Sequence, residues 1–315
     1  MVINAVKYWL PETIISNQYF EDNFNIKSED IVSKSGILER CKCNHGENTN
    51  TMAIEAVIGL ISNMPFSVQD VDLIIGCTYT PYDTVGTLAH SVQKYFNIEG
   101  AKCFTVNSAC SSFVNALEIT DCFFKVRKAS KALIIVSEQN SRYANYSDPK
   151  SGFLWGDGAA AILVSEENNS EKSMEVVDIQ TSGLGTIGKS IDGVYLRPTN
   201  GGLKMPFGKD VFQFACNYII NDTLNILKKN KIELNKLDYF IPHQANARIT
   251  DYVSKQLKLQ PHKVLTNIEK LGNTGSASTP IVLSQNWDRF DKNETIVISV
   301  FGGGYSSGAI LLKRL

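Results

Sequence analysis

The chain has 315 residues, 43% hydrophobic and 20% charged, and its 31 basic against 32 acidic side chains leave a formal charge of −1. That length suits two domains or two closely packed halves with a large buried core. The near-neutral balance, with no long basic block, argues against a nucleic-acid groove or an anionic membrane surface.

In chain order, Val2-Ile3-Asn4-Ala5-Val6-Lys7-Tyr8-Trp9 reads as a first strand and shows no basic leader with an apolar core and cleavage site. Runs of branched apolar residues then alternate with helical patterns. A strand over 71–77 precedes a helix over 88–96, a strand over 102–106 precedes a helix over 111–126, and a further strand covers 132–137. This alternation predicts an α/β protein with buried strands. The polar run Glu-Glu-Asn-Asn-Ser-Glu-Lys-Ser, which starts at residue 166, sets a division near 166–175 and gives units of residues 1–168 and 169–315. Residues 183–208 form the longest irregular stretch, rich in Gly, Pro and Asn, and read either as a lid or channel wall or as a solvated excursion.

The second unit repeats the first. Asp70-Val71-Asp72-Leu73-Ile74-Ile75-Gly76-Cys77 is echoed by Lys236-Leu237-Asp238-Tyr239-Phe240-Ile241-Pro242-His243, and Gly156-Asp157-Gly158-Ala159-Ala160-Ala161-Ile162-Leu163 by Gly303-Gly304-Tyr305-Ser306-Ser307-Gly308-Ala309-Ile310-Leu311. Between these landmarks Asn107-Ser108-Ala109-Cys110-Ser111-Ser112 matches Asn273-Thr274-Gly275-Ser276-Ala277-Ser278. Three pairings in the same order indicate a duplicated frame.

Seven cysteines at irregular spacing form no disulfide framework, which points to a reducing compartment, and no apolar run reaches the roughly 18 residues needed to span a bilayer. A cytoplasmic protein is expected. Cys41-Lys42-Cys43-Asn44-His45 brings three potential zinc ligands together but lacks a fourth at suitable spacing, so no metal is expected. Cys110 stands apart because it lies between a strand and a helical segment. A helix N-terminus there would lower its thiol pKa, although a buried inert cysteine fits the same position. His243 sits at the carboxyl end of a strand, where open α/β sheets place ligands. Asn273 lies among glycines that allow close approach, or serves simply as a turn residue. Gly302-Gly303-Gly304 either turns an amide toward an oxyanion or makes a tight turn.

Taken together, Ala109-Cys110-Ser111-Ser112-Phe113, Trp155-Gly156-Asp157-Gly158, Pro242-His243-Gln244-Ala245-Asn246, Gly272-Asn273-Thr274-Gly275-Ser276 and Phe301-Gly302-Gly303-Gly304 carry a resemblance over nearly the whole chain. The sequence resembles the β-ketoacyl-acyl-carrier-protein synthase III family of thiolase-fold condensing enzymes. The resemblance implies a duplicated, five-layered α-β-α-β-α architecture and a homodimer. It implies Cys110 as the acylated nucleophile, His243 and Asn273 as donors to a malonyl thioester carbonyl, and the amides of Cys110 and Gly303 as an oxyanion hole. Lys34, Trp155, Phe212, Asn246 and Arg248 are the implied substrate- and carrier-binding residues, Arg248 facing an acidic acyl carrier protein.

The activity so implied is decarboxylative Claisen condensation of an acyl starter with a malonyl-type thioester, in fatty-acid or polyketide-like metabolism, with no cofactor. The alternatives within the family are acyl transfer to an alcohol or amine and a non-catalytic partner subunit. Where relatives that take coenzyme A carry a tryptophan and two arginines, this chain has Asp30, Lys34 and Pro149, a poorer mouth for an adenine and its phosphates. The acyl donor is therefore expected on a carrier protein or, more weakly, on coenzyme A.

Overall fold

Branched residues alternate in direction along the strands, and each direction meets a different layer of helices. In the strand Leu73–Cys77, Leu73, Ile75 and Cys77 enter a central core and Ile74 faces away. The strand Lys131–Glu138 repeats this, with Ala132, Ile134 and Val136 inward and Leu133 and Ile135 outward. In Thr295–Gly302, Ile296, Ile298 and Val300 enter the same central core, whereas Val297 and Phe301 face a third one. A computed structural model supplies this arrangement and describes residues 1–170 and 172–315; Glu171, inside the expected boundary run, lies outside the described residues.

Five layers result. The outer helices Thr49–Ile61 and Leu88–Phe96 cover one side, Gly208–Lys229 and Ala247–Gln256 the other, and Ser112–Lys125 and Ser278–Gln285 are sandwiched in the middle. Phe113, Leu117 and Phe124 of one central helix and Ile281, Val282 and Leu283 of the other are all buried there. A fully buried side chain of this size stabilises the fold by about 1.5–3 kcal/mol.

The strands run in the order Tyr239–Pro242, Thr295–Gly302, Ser306–Arg314, Met174–Gly183, Val2–Trp9, Gly158–Ser165, Lys131–Glu138, Leu73–Cys77, Lys102–Val106. The two groups of strands are joined where Val2 and Ile3 pair with Glu175 and Met174. Parallel pairing, between Tyr239–Pro242 and Thr295–Gly302 in one group and of Leu73–Cys77 with both its neighbours in the other, gives way to antiparallel neighbours in each. This is the thiolase fold.

A cap of the helices Asn17–Phe24 and Ser28–Ser35 and the hairpin Thr13–Ser16/Glu39–Lys42 closes one end. Arg40 is buried beneath it, donating to the carbonyls of Phe153 and Ile15 and to Asn17 Oδ1. Within residues 183–208 the short strands Tyr195–Arg197 and Gly202–Lys204 form a hairpin, so the expected irregular stretch is partly ordered as β structure. Cys43 packs its sulfur 3.5 Å from Met52 Sδ. No helix among the described residues is long and apolar enough to cross a membrane.

Candidate active site

Cys110 occupies a tight turn between the edge strand Lys102–Val106 and the helix Ser112–Lys125. Ala109, at φ 50°, takes the left-handed conformation and lets the chain reverse over one residue. Ser112 Oγ locks the reversal, donating to Ala109 O at 2.7 Å and accepting from Ser108 N at 2.9 Å. The end of Thr295–Gly302 comes against this turn, where a Cβ on Gly302 would lie 2.9 Å from Cys110 N, a spacing only glycine tolerates.

The sulfur behaves differently from the sequence expectation. Burial pushes the Cys110 thiol up to about 12, with Glu138 adding to the rise and the amides of Gly303 and Cys110 pulling the other way. Cys110 is only half-buried by area because it faces a cavity, yet it lies deep in the protein, and that depth outweighs the helix terminus. At neutral pH Cys110 is therefore held as a thiol. Glu138 is itself buried, and desolvation pushes its carboxyl up to about 7 against hydrogen bonds from Ser276 and Thr80.

His243 follows the strand Tyr239–Pro242 and is 3% exposed. Its Nδ1 lies 2.8 Å from Ser278 Oγ, which also accepts from Gln244 N at 3.4 Å. Where Ser278 Oγ donates its proton to Nδ1, Nε2 carries the imidazole hydrogen. Burial brings the ring down to about 4, so it is a neutral donor at neutral pH. Asn273 is held at every polar atom but one. Its N–H donates to Leu154 O at 2.8 Å, its carbonyl accepts from Gly156 N at 3.1 Å, and its Oδ1 accepts from Gly275 N at 2.9 Å. That leaves Nδ2 as the side chain's outward donor.

Two cavities meet at the sulfur. The larger, of about 590 Å³, is lined by Tyr79, Ile191, Tyr195, Leu196, Leu203 and Tyr305 among others, so the hairpin within 183–208 forms its wall. The smaller, of about 30 Å³, holds His243 and Asn273 with Met205, Val211, Ile249 and Phe301. Cys110, Trp155, Val194 and Gly303 line both.

The fold thus brings Cys110, His243, Asn273, Gly303 and Trp155 together. The remaining expected residues are not in the chamber. Phe212 is half-buried against Tyr252, Arg248 is exposed, and Asn246 caps the helix Ala247–Gln256 while donating to Lys34 O at 3.0 Å. Lys34 is exposed and 4.0 Å from Asp30. Val211 and Ile249, which line the narrow chamber, adjoin Phe212 and Arg248 in sequence. Ser278 and Val194 were not singled out by their spacing. Ser278, five residues after Asn273, was legible only as part of the second copy of the turn.

Comparison with known proteins follows the same lines. Residues 104–183 match the family model of 3-oxoacyl-[acyl-carrier-protein] synthase III, and residues 227–314 match the model of its C terminal. A β-ketoacyl-[acyl-carrier-protein] synthase III of Clostridium botulinum strain Langeland is 34% identical over 317 residues, covering 96% of this chain and 95% of the relative. One from Campylobacter jejuni subsp. doylei is 31% identical over 319 residues, covering 99% and 97%. The crystal structure of 3-oxoacyl-[acyl-carrier-protein] synthase III from Aquifex aeolicus superposes with a TM-score of 0.92 at 29% identity, covering 99% of both chains.

Proposed function

The chain belongs to the β-ketoacyl-[acyl-carrier-protein] synthase III family of condensing acyltransferases, and from that premise we propose that Cys110, His243 and Asn273 carry its decarboxylative condensation. In the first half-reaction Cys110 Sγ attacks the carbonyl of an acyl thioester. The tetrahedral oxyanion is held by the amides of Cys110 and Gly303, and collapse expels the donor thiol, which takes up the proton that Cys110 gives up. The acyl chain lies in the larger cavity.

In the second half-reaction a malonyl-type thioester on an acyl carrier protein enters the narrow chamber. Cleavage of its carboxylate carbon–carbon bond releases carbon dioxide and leaves the electron pair in an enolate, whose oxygen receives hydrogen bonds from His243 Nε2 and Asn273 Nδ2. The enolate carbon attacks the Cys110 thioester, a new carbon–carbon bond forms, and the cysteine leaves as a thiolate that is reprotonated. Arg248 and Lys34 border the entrance used by the carrier, and Trp155 and Phe212 flank its arm. The protein works in the cytoplasm as a homodimer, and its two units divide at 168/169. The acyl donor is a thioester on carrier protein or coenzyme A.

The observation that carries this reading is the pair of neutral donors, each with its other polar atoms already engaged, beside one cysteine. Its test is carbon dioxide release from a malonyl thioester. Asn273→Ala should slow release by about 10²- to 10³-fold, the usual loss for one oxyanion donor, while Cys110 still acquires the acyl mass. Unchanged release would favour simple acyl transfer to an alcohol or amine instead.

A further inference from the structure

Beyond the strand Lys131–Glu138 the chain runs on through Gln139 to Asn140, and two side chains there grip the same pair of segments. Glu138 and Asn140 are both 0% exposed. Glu138 accepts from Tyr79 N at 3.3 Å and from Ser276 Oγ. Asn140 accepts through Oδ1 from Tyr79 OH at 2.8 Å and donates through Nδ2 to Asn273 O at 3.2 Å and Gly156 O at 2.8 Å. Residue 79 is thereby held at its backbone and at its hydroxyl, and the 273–276 turn is held at both of its ends.

Every member of the group is satisfied. Thr78 Oγ1 at 3.1 Å, Thr80 N at 3.2 Å and Thr80 Oγ1 at 2.5 Å complete the shell of Glu138. The packing leaves no slack either, because a Cβ on Gly275, at φ +60°, would lie 2.2 Å from Tyr79 OH. A fully connected buried network of this kind fixes geometry more than it adds stability. What it fixes is consequential, since the carbonyl that Asn140 holds belongs to the residue whose Nδ2 faces the chamber, and the Tyr79 ring it holds lines the larger cavity beside Cys110.

We infer that Glu138 and Asn140 form a two-point clamp, anchored on Tyr79, that positions Asn273 for the decarboxylation step. They are positioning residues and touch no reacting atom. The inference rests on the proposed role of Asn273, and the experiment separates the two.

Four variants read against the parent decide it, each assayed for malonyl-thioester carbon dioxide release and, separately, for single-turnover acylation of Cys110. Asn140→Leu should lower release by about 10- to 10²-fold, the scale of a misplacement near 1 Å, with acylation within about threefold of the parent. Tyr79→Phe, which removes one hydrogen bond and little volume, should lower release by a few-fold and tests the clamp even if Asn140→Leu folds poorly. In an Asn273→Ala background Asn140→Leu should cost less than about twofold more, because a residue acting through Asn273 has nothing left to position. Full additivity, equal losses in both half-reactions, or unchanged release in both Asn140→Leu and Tyr79→Phe would overturn the clamp. Unchanged release in Asn273→Ala alone would instead remove its premise.

Discussion

The turn that carries Cys110 and the turn that carries Asn273 are two copies of one device. In each, an asparagine opens the turn and its Oδ1 accepts from the amide two residues on: Asn107 from Ala109 at 3.1 Å, Asn273 from Gly275 at 2.9 Å. In each, that second residue takes a left-handed conformation, φ 50° at Ala109 and φ 60° at Gly275, and a central helix follows. The next position is Cys110 in one copy and Ser276 in the other.

What meets that position differs. The matching strand of the second unit ends at Gly302, with no side chain, and leaves the sulfur beside an open cavity. The matching strand of the first unit ends at Glu138, whose carboxylate closes on Ser276. One backbone therefore makes a reactive position where its partner strand offers a gap, and a structural knot where the partner strand offers a carboxylate. In the proposed reaction the first copy would supply the covalent bond and the second a rigid donor.

The severest test of that division is Cys110→Ala, which should lower acyl transfer by about 10³-fold or more, with no acyl mass on any other cysteine in intact-protein mass spectrometry. In the parent protein, alkylation of Cys110 by iodoacetamide should rise about tenfold per pH unit from pH 7 to 9 without levelling, as a thiol of raised pKa requires. A plateau below pH 8 would place the thiolate in the resting enzyme and void the contrast between a buried thiol and a helix-activated one.

Next in size, His243→Ala should slow decarboxylation by about 10²- to 10³-fold and leave most acylation intact, the selective loss expected of a donor in the second copy. The ring is held near pKa 4 against its ordinary 6.5, so the parent's decarboxylation should show no inflection at 6.5. Stability carries the opposite signature. Between these values the unfolded chain binds a proton that the folded ring refuses, so stability falls as pH drops from 6.5 toward 4, and His243→Asn should flatten that slope in urea titrations. The mildest change is at the rim. Arg248→Glu should raise KM for an acidic carrier about three- to tenfold and leave a small malonyl thioester unaffected, with added salt weakening the parent in the same way.

Much of this was legible in the chain itself. The strands expected at 71–77 and 132–137 occur as Leu73–Cys77 and Lys131–Glu138, because branched apolar runs leave few other ways to be buried. The Asn107 and Asn273 turns were legible from their corresponding places in the two halves, whereas nothing in the alanine at 109 announces its positive φ. The thiol's character was not legible, since position at a helix start is local whereas depth of burial is a property of the whole fold. Glu138 and Asn140 also escaped notice. An acidic residue after Ala-Leu-Ile-Ile-Val-Ser reads as a strand leaving the core, and its partner Ser276 lies 138 positions away.

The four residues common to both cavities, Cys110, Trp155, Val194 and Gly303, act as a gauge as well as a junction. In the proposed reaction a chain lodged in the larger cavity and joined to a carrier arm in the narrow one would be drawn out carrier end first and tail last, past these four residues. Length adds only to the time spent sliding, because each methylene presents the same cross-section. Girth is another matter, since a branch or ring near the tail has to pass the Trp155 indole and the Val194 methyls at once. On that reading departure would be graded by the widest point of the chain, where a simple pocket would sense only its total volume.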